Sequence, residues 1–288
     1  MNNFTKALID SSAFNIISWR SDDSDKAVQE GLRLGAILGR KLKVRSEEVT
    51  TKYTRKDAGK IDGRLISELG FGNANIFTQT FVDKYSDVNL HISIDASGSM
   101  GGSKWTNALT SAVAVIKAAS MTSNINVQLT IRTTHGGRGA GYLPLIIMAY
   151  DSRKDKISKV KNLFPYLRPG GSTPESLTFQ AIMEQFVEGS ATNDSYFLNY
   201  SDGAPMFSND DIYYYGAEAV KHTAKMIKKM NSKGIEVMSY FIKSDRDYST
   251  DSESADFKRM YGRAAQFINP VSMMDVARTL NKKFLQKN

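Results

Sequence analysis

Apolar residues at 25–43, namely Ala27, Val28, Leu32, Leu34, Ile37 and Leu38, recur at helical spacing, interrupted by Gly31, Gly35 and Gly39 at intervals of four. The glycines weaken this helix and leave room for another element to pack closely against it. Val49, Thr51 and Tyr53 alternate through 47–55 as a strand, 61–69 reads as a short helix, and 76–82 as a second strand. Residues 1–86 therefore predict a small α+β region that packs on or extends a main domain beginning at 87.

After 87 the pattern changes. Val88, Leu90, Ile92 and Ile94 repeat with period two as a central strand, a helix over 106–121 comes next, and 127–131 is the next strand. Residues 155–164 and 175–187 read as helices, 196–200 as a strand, and 217–230 as a helix ended near Gly234. A strand at 235–242, a short one at 267–268 and a helix from a cap at Ser272 to 285 complete the pattern, with an exposed loop over 244–254. Strands alternating with helices predict an α/β domain over 87–288 with a Rossmann-like, doubly wound, mostly parallel sheet covered on both faces.

The chain has 288 residues, 41% of them hydrophobic, which suffices for a substantial core. It contains no cysteine, which excludes disulfides, thiolate metal sites and cysteine nucleophiles. No run approaches the roughly 18 apolar residues of a membrane span, and the first 20 residues lack the pattern of a leader, so a soluble cytoplasmic chain is expected. The net charge of +8 is spread, with 14 basic and 11 acidic residues in 1–86, which argues against a nucleic-acid footprint. Only Arg40, Lys41, Lys43 and Arg45 cluster, at a predicted helix end where cations oppose the dipole.

The chemistry begins where the central strand ends, at Asp95-Ala96-Ser97-Gly98-Ser99. A carboxylate and two hydroxyls at every second position form half of an oxygen-only cation site, a donor set that suits Mg²⁺ and not zinc. Gly170-Gly171-Ser172-Thr173-Pro174-Glu175 adds a hydroxyl directly before a helix, and Ser201-Asp202-Gly203 ends another strand. In open parallel sheets the carboxyl ends of strands converge on one crevice, which can gather these segments. Each has a structural alternative: Asp95 as a cap, Thr173 as an N-cap before Pro174, Asp202-Gly203 as a turn. Their joint occurrence in this order favours the cation site.

Asp95-x-Ser97-x-Ser99, Thr173 and Asp202-Gly203 together resemble the metal-ion-dependent adhesion site of von Willebrand factor type A domains. The resemblance implies a von Willebrand A-like fold in which Ser97, Ser99 and Thr173 are hydroxyl ligands and Asp95 and Asp202 hold the ion directly or through water. It also implies Mg²⁺, with Mn²⁺ or Ca²⁺ acceptable to the same donors, and a sixth position open to a partner's carboxylate. Gly59-Lys60-Ile61-Asp62, Thr133-Thr134-His135-Gly136-Gly137, the Gly-Gly-Ser-Thr loop and Ser201-Asp202-Gly203-Ala204-Pro205 further resemble the adhesion-type subunit of aerobic cobaltochelatase, over roughly residues 56–285. The chain departs from that family in being short and in lacking its long acidic middle region.

That closer resemblance implies a module without catalytic activity of its own, whose protein partner is an AAA-type ring ATPase or its substrate. Phage genomes carry relatives of such pairs, which would place a phage-encoded chain in the host cytoplasm. A cobaltochelatase-like component assisting metal insertion into a tetrapyrrole is the alternative, and an RNA-binding adhesion-type domain drawing on the +8 charge is a third reading.

Other chemistries fit poorly. Residues 98–104 approximate a phosphate loop, but Ser103 stands where a glycine is required and Trp105 replaces the hydroxyl residue. Gly137-Arg138-Gly139-Ala140-Gly141 lacks the strand-to-helix setting of a dinucleotide fingerprint. Of the histidines, His91 lies in a buried strand and His222 on a helix, whereas His135 sits in a glycine-rich loop. His135 therefore joins Gly171, Ser172 and Gly203 as a candidate for the rim of the metal site, against its reading as plain surface loop. Tyr213, Tyr214 and Tyr215 read as a half-buried helix start, with stacking on a partner as the alternative.

Overall fold

The computed structural model describes residues 1–11, 14–46, 49–83, 87–137, 141–184, 193–203, 205–242 and 251–268. Its strands are β1 (Asn2–Asn3), β2 (Val49–Lys56), β3 (Lys60–Ile61), β4 (Phe77–Asp83), β5 (Asp87–Asp95), β6 (Ile125–Gly137), β7 (Gly141–Asp151), β8 (Asn193–Ser201), β9 (Phe207–Ser208), β10 (Tyr213–Tyr214), β11 (Ile235–Ile242) and β12 (Ala265–Ile268). The helices are α1 (Lys6–Asp10), α2 (Asp22–Ser46), α3 (Ser103–Ala119), α4 (Ser158–Leu163), α5 (Glu175–Met183), α6 (Gly216–Ser232) and α7 (Asp251–Tyr261).

Seven strands form the main sheet in the order β1-β7-β6-β5-β8-β11-β12. β6, β5, β8, β11 and β12 are mutually parallel, β7 runs antiparallel to β6, and β1 pairs parallel with β7. The expected mostly parallel α/β sheet, preceded by a small α+β region, is the architecture of the chain. β5 lies between β6, its successor in the main sheet, and β8, which the chain reaches only after β7, α4 and α5. The winding therefore reverses between β5 and β8, which opens a crevice at their carboxyl ends.

The alternation along β5 separates the two faces. Val88, Leu90, Ile92 and Ile94 join Leu109, Val113 and Ile116 of α3 in one fully buried core, with Val28 of α2 behind them. On the other face Phe179 and Ile182 of α5, Met226 and Met230 of α6 and Phe257 of α7 pack on Phe197, Val237 and Phe241. α2 lies against α3 through the glycine stripe. A Cβ on Gly31 would stand 2.7 Å from the Thr110 carbonyl oxygen, and one on Gly35 would stand 2.5 Å from that of Ala114. The close approach expected from the spacing of four is thus made, and α3 is the element that makes it.

Several elements differ from the sequence-based expectation. β7 is absent from it, because Pro144 and a continuous apolar run obscure the strand's alternation; β1 pairs only at Ile147 and Met148, so Pro144 stands where β7 is an edge that needs no donor. The glycine-rich segment ending at Gly137 belongs to β6, with His135 paired to Leu143, so His135 is in a strand and not a loop. The end of the expected 244–254 loop is the first turn of α7, whose Ser and Asp content suits a helix start. In place of a helix over 61–69 there are β3 and a 3-10 turn at Ile66–Phe71. Tyr213 and Tyr214 form a short strand paired with β9, and Tyr215 is the N-cap of α6. The helix expected from Ser272 lies outside the described residues.

β2, β4 and β3 form a separate antiparallel sheet in that order, whose exposed face carries the edge-to-face rings of Tyr53 and Phe81. Among the described residues no helix is long and apolar enough to cross a membrane.

The packing sets two expectations for stability. In Gly35→Ala the clash with α3 outweighs the gain of about 1 kcal/mol in helix propensity. The variant should lose about 1–3 kcal/mol in urea unfolding; a gain would show that the helices can separate without cost. His91, fully buried on β5, places Nε2 2.9 Å from Thr130 Oγ1 and Nδ1 3.4 Å from Gln128 Oε1. Burial pushes its imidazole down to about 4, against smaller upward pulls from Gln128 and Asp151. Above about pH 6.5 both folded and unfolded chains hold the ring neutral; as pH falls towards 4 only the unfolded chain takes up the proton. His91 should therefore cost the fold about 2–3 kcal/mol between pH 7 and 4.5. His91→Gln should remove that part of the slope in urea titrations at the two pH values.

Candidate metal centre

Three loops meet at the crevice. The first leaves β5 at Asp95, whose Oδ1 accepts the Ser97 backbone N–H at 2.9 Å and so bends the chain. Ser97 and Ser99 then face each other, Oγ to Oγ at 3.0 Å. The third loop leaves β8, and its Asp202 Oδ1 accepts from Ser99 Oγ at 2.9 Å. Ser97, Ser99 and Asp202 are thereby joined oxygen to oxygen, with Asp95 attached through the Ser97 backbone N–H, and Asp95, Ser97 and Asp202 are buried.

The second loop is tied to the first by its backbone, since Gly170 N–H donates to Ala96 O at 2.7 Å and Gly98 N–H to Gly171 O at 2.9 Å. It is tied to β6 as well: Thr133 Oγ1 donates to Gly170 O, and Ser172 N–H donates to Thr134 Oγ1 at 2.9 Å. Gly171 has φ +92°, and a Cβ there would meet Thr133 Oγ1 at 2.5 Å, so glycine is required for both conformation and space. Thr173 comes next, pinned by a reciprocal backbone pair with Met206 at 3.1 and 2.9 Å. Its hydroxyl makes no hydrogen bond among the described residues, and the side chain is buried.

Pro174, not Thr173, is the N-cap of α5, and no side chain caps that helix. Of the proposed rim residues, Gly171 and Ser172 are within this loop and Gly203 directly follows Asp202. His135 lies one residue beyond Thr134 on β6, its ring edge-on to Phe14 at 4.8 Å.

Behind the oxygens lies a charged layer that the motif does not include. Arg132, opposite Asp95 in the β5–β6 register, is wholly buried and donates to Glu175 Oε2 at 3.1 Å, Ser93 Oγ at 2.9 Å and the Tyr200 carbonyl at 3.3 Å. Glu175, equally buried, also accepts from Ser201 Oγ at 3.2 Å, Asn199 Nδ2 at 2.9 Å and the Tyr261 hydroxyl. Burial and the Glu175 charge push the Tyr261 phenol well up, so it remains a donor. Lys104 Nζ, in the first turn of α3, donates to Asp202 Oδ2 at 2.8 Å inside the protein.

Two signals in the sequence point to this layer. Ser93 and Asp95, Thr130 and Arg132, and Asn199 and Ser201 place polar groups at every second position of strands that parallel packing buries on both faces. Lys104 puts a cation at a helix start, where the dipole disfavours it unless a carboxylate is near.

Among the described residues the carboxylates Asp95, Glu175 and Asp202 and the cations Lys104 and Arg132 stand together at this end of the sheet. Burial holds the Asp95 carboxyl well above the usual carboxylate range, and Glu175 and Asp202 add to this while Arg132 opposes it. Among the described residues its Oδ2 accepts a hydrogen bond from Ser201 Oγ alone, at 3.5 Å. Among the described residues no group of three or more His, Cys, Asp or Glu is disposed to hold a metal ion. Of the candidate ligands, Ser97, Ser99 and Asp202 are hydrogen-bonded in series through their side-chain oxygens, while Thr173 is tied to the β8 loop through its backbone pair with Met206.

No protein-family model matches the chain, and no curated protein matches it. Among solved structures it is similar to the pilus adhesin SpaC from Lactobacillus rhamnosus GG in its open conformation, at 16% identity and a TM-score of 0.50 over 72% of this chain and 32% of that one. A von Willebrand factor type A structure from Catenulispora acidiphila aligns at 12% identity over 84% of this chain and 51% of that one, with a TM-score of 0.44. Proximal thread matrix protein 1 from the mussel byssus aligns at 12% identity over 68% and 48%, with a TM-score of 0.44. The chain spans about a third to a half of the length of these structures. The likeness to the pilus adhesin is one of fold.

Arg132→Met should cost about 3–5 kcal/mol in urea unfolding, because it leaves Glu175 charged and unpaired in the interior. Adding Glu175→Gln to that variant should recover a part of the loss. If the double variant loses the sum of the two single losses, the pair is not coupled.

Proposed function

We propose that the chain is a Mg²⁺-dependent protein-interaction module. The ion would be held by Asp95, Ser97, Ser99, Thr173 and Asp202, directly or through water, with one position left for a carboxylate of a protein partner. The observation that carries this reading is the convergence of the buried Asp95 and Asp202 carboxylates with the Ser97 and Ser99 hydroxyls, from two separate loops, at the point where the sheet's winding reverses.

A bound divalent ion would add positive charge beside Asp95 and Asp202 and would leave one coordination position for an incoming carboxylate. The protein's own residues do the positioning: Lys104 holds the far oxygen of Asp202, Ser99 the near one, and the Ser97 backbone orients Asp95. The resemblance to the cobaltochelatase adhesion-type subunit extends the reading to an AAA-type ring ATPase, or its substrate, as the partner in the cytoplasm. The ATPase would then perform any remodelling.

Addition of Mg²⁺ should raise the thermal midpoint of the wild-type chain, by an amount equivalent to about 2.7 kcal/mol at a hundredfold excess over Kd. Asp95→Ala and Asp202→Ala should stay folded by circular dichroism and show no such rise. Partner binding that persists in excess chelator would contradict the reading.

A further inference from the structure

Beside the candidate metal centre two hairpins expose apolar side chains that the interior does not use. The β9–β10 hairpin alternates: Phe207 and Tyr214 are buried in a small core with Ala219, so Met206, Tyr213 and Tyr215 project from the opposite face. Tyr213 is 77% exposed and Met206 57%, and the Tyr213 and Tyr215 rings meet edge-on at 5.5 Å. The start of β7 adds Tyr142 and Leu143, which is 61% exposed. Exposed groups of this size mark interaction sites, and tyrosine is favoured at them because it buries a large area at little cost in side-chain entropy.

The collar is mechanically joined to the metal loops. Met206 shares both of its backbone hydrogen bonds with Thr173, and Asn209 Nδ2 donates to the Tyr142 carbonyl at 3.1 Å, which locks the two hairpins together. Tyr214 anchors the platform from beneath, its hydroxyl 2.5 Å from Ser176 Oγ and 3.1 Å from Thr223 Oγ1. The tyrosines are therefore presented from an ordered base.

Charge defines the occupant. The proposed centre has one coordination position for a carboxylate, whereas the exposed hairpin tip carries Asp210 and Asp211, which repel a run of acids. We infer that the two hairpins are an apolar docking collar for a protein segment with a single Asp or Glu flanked by large apolar side chains. The carboxylate reaches the metal centre while the flanks lie on Leu143, Met206, Tyr213 and Tyr215. This inference rests on the metal-dependent reading of the site and adds to it the chemistry of the partner.

A display library of random twelve-residue peptides, selected on the wild-type chain in Mg²⁺, tests it. Recovered peptides should carry one Asp or Glu with Leu, Ile, Phe, Trp or Tyr within two residues. The double variant Tyr213→Ser, Tyr215→Ser should bind them at least tenfold more weakly in fluorescence anisotropy, yet keep the wild-type Mg²⁺-induced thermal shift, which shows that fold and metal site are intact. Peptides with polar flanks, equal binding to the double variant, or no chelator-sensitive peptide at all would overturn the collar while leaving that thermal shift in place. A wild-type dimer that the double variant dissolves would assign the face to a second copy and also overturn it. If the wild-type chain shows no Mg²⁺-induced shift, the reading of the metal site itself fails.

Discussion

Arg132 has no water to solvate its charge. It is wholly buried within β6, opposite the end of β5, and its charge is met by Glu175, with Ser93 and the Tyr200 carbonyl as further acceptors. Glu175 is in turn held by Asn199 and Ser201 of β8 and by Tyr261 at the end of α7. Desolvated charges tolerate little displacement, since separating them leaves each without a partner in a medium of low dielectric. Glu175 is the first residue of α5, so this pair sets where that helix begins above the sheet and hence where the preceding Gly170–Thr173 loop lies.

Two faces of one sheet perform different tasks. The face under α3 is mainly apolar, with the Tyr200 hydroxyl bonded to Ser111 of α3, is closed further by the glycine contact of α2, and supplies the burial that holds the fold together. The other face is apolar under α5, α6 and α7 but becomes polar at its carboxyl end, where Ser93, Asp95, Arg132, Asn199 and Ser201 stand together. A buried ionic layer of this kind contributes little net stability compared with a packed apolar one. At the winding reversal this layer fixes the ends of β5 and β8 and the start of α5 relative to one another.

The surface continues the same design. The backbone pair between Thr173 and Met206 makes one ligand loop and one exposed hairpin a single unit, so anything lying on the hairpin also lies beside the centre. A positive ion alone selects poorly among acidic groups, whereas an ion bordered by ordered aromatic side chains can discriminate by shape and apolar area.

Much of this was legible in the residues. The period-two alternation of Val88, Leu90, Ile92 and Ile94 identifies a buried strand wherever it occurs, because successive side chains must point to opposite faces. The spacing of Gly31, Gly35 and Gly39 likewise marks one stripe of a helix as a contact face. Asp95, Ser97, Ser99 and Asp202 were recognisable because their spacing and position after strands are local properties. The antiparallel course of β7, the strand setting of His135 and the start of α7 were not, since each depends on which neighbour the chain meets. The pairing of Arg132 with Glu175, of Lys104 with Asp202, and of Thr173 with Met206 was decided only in three dimensions. Sequence records which groups alternate and which can bear charge; only the folded sheet brings residues 43 and 98 positions apart within hydrogen-bonding distance, and the strength of a charge pair depends on that distance and on the exclusion of water.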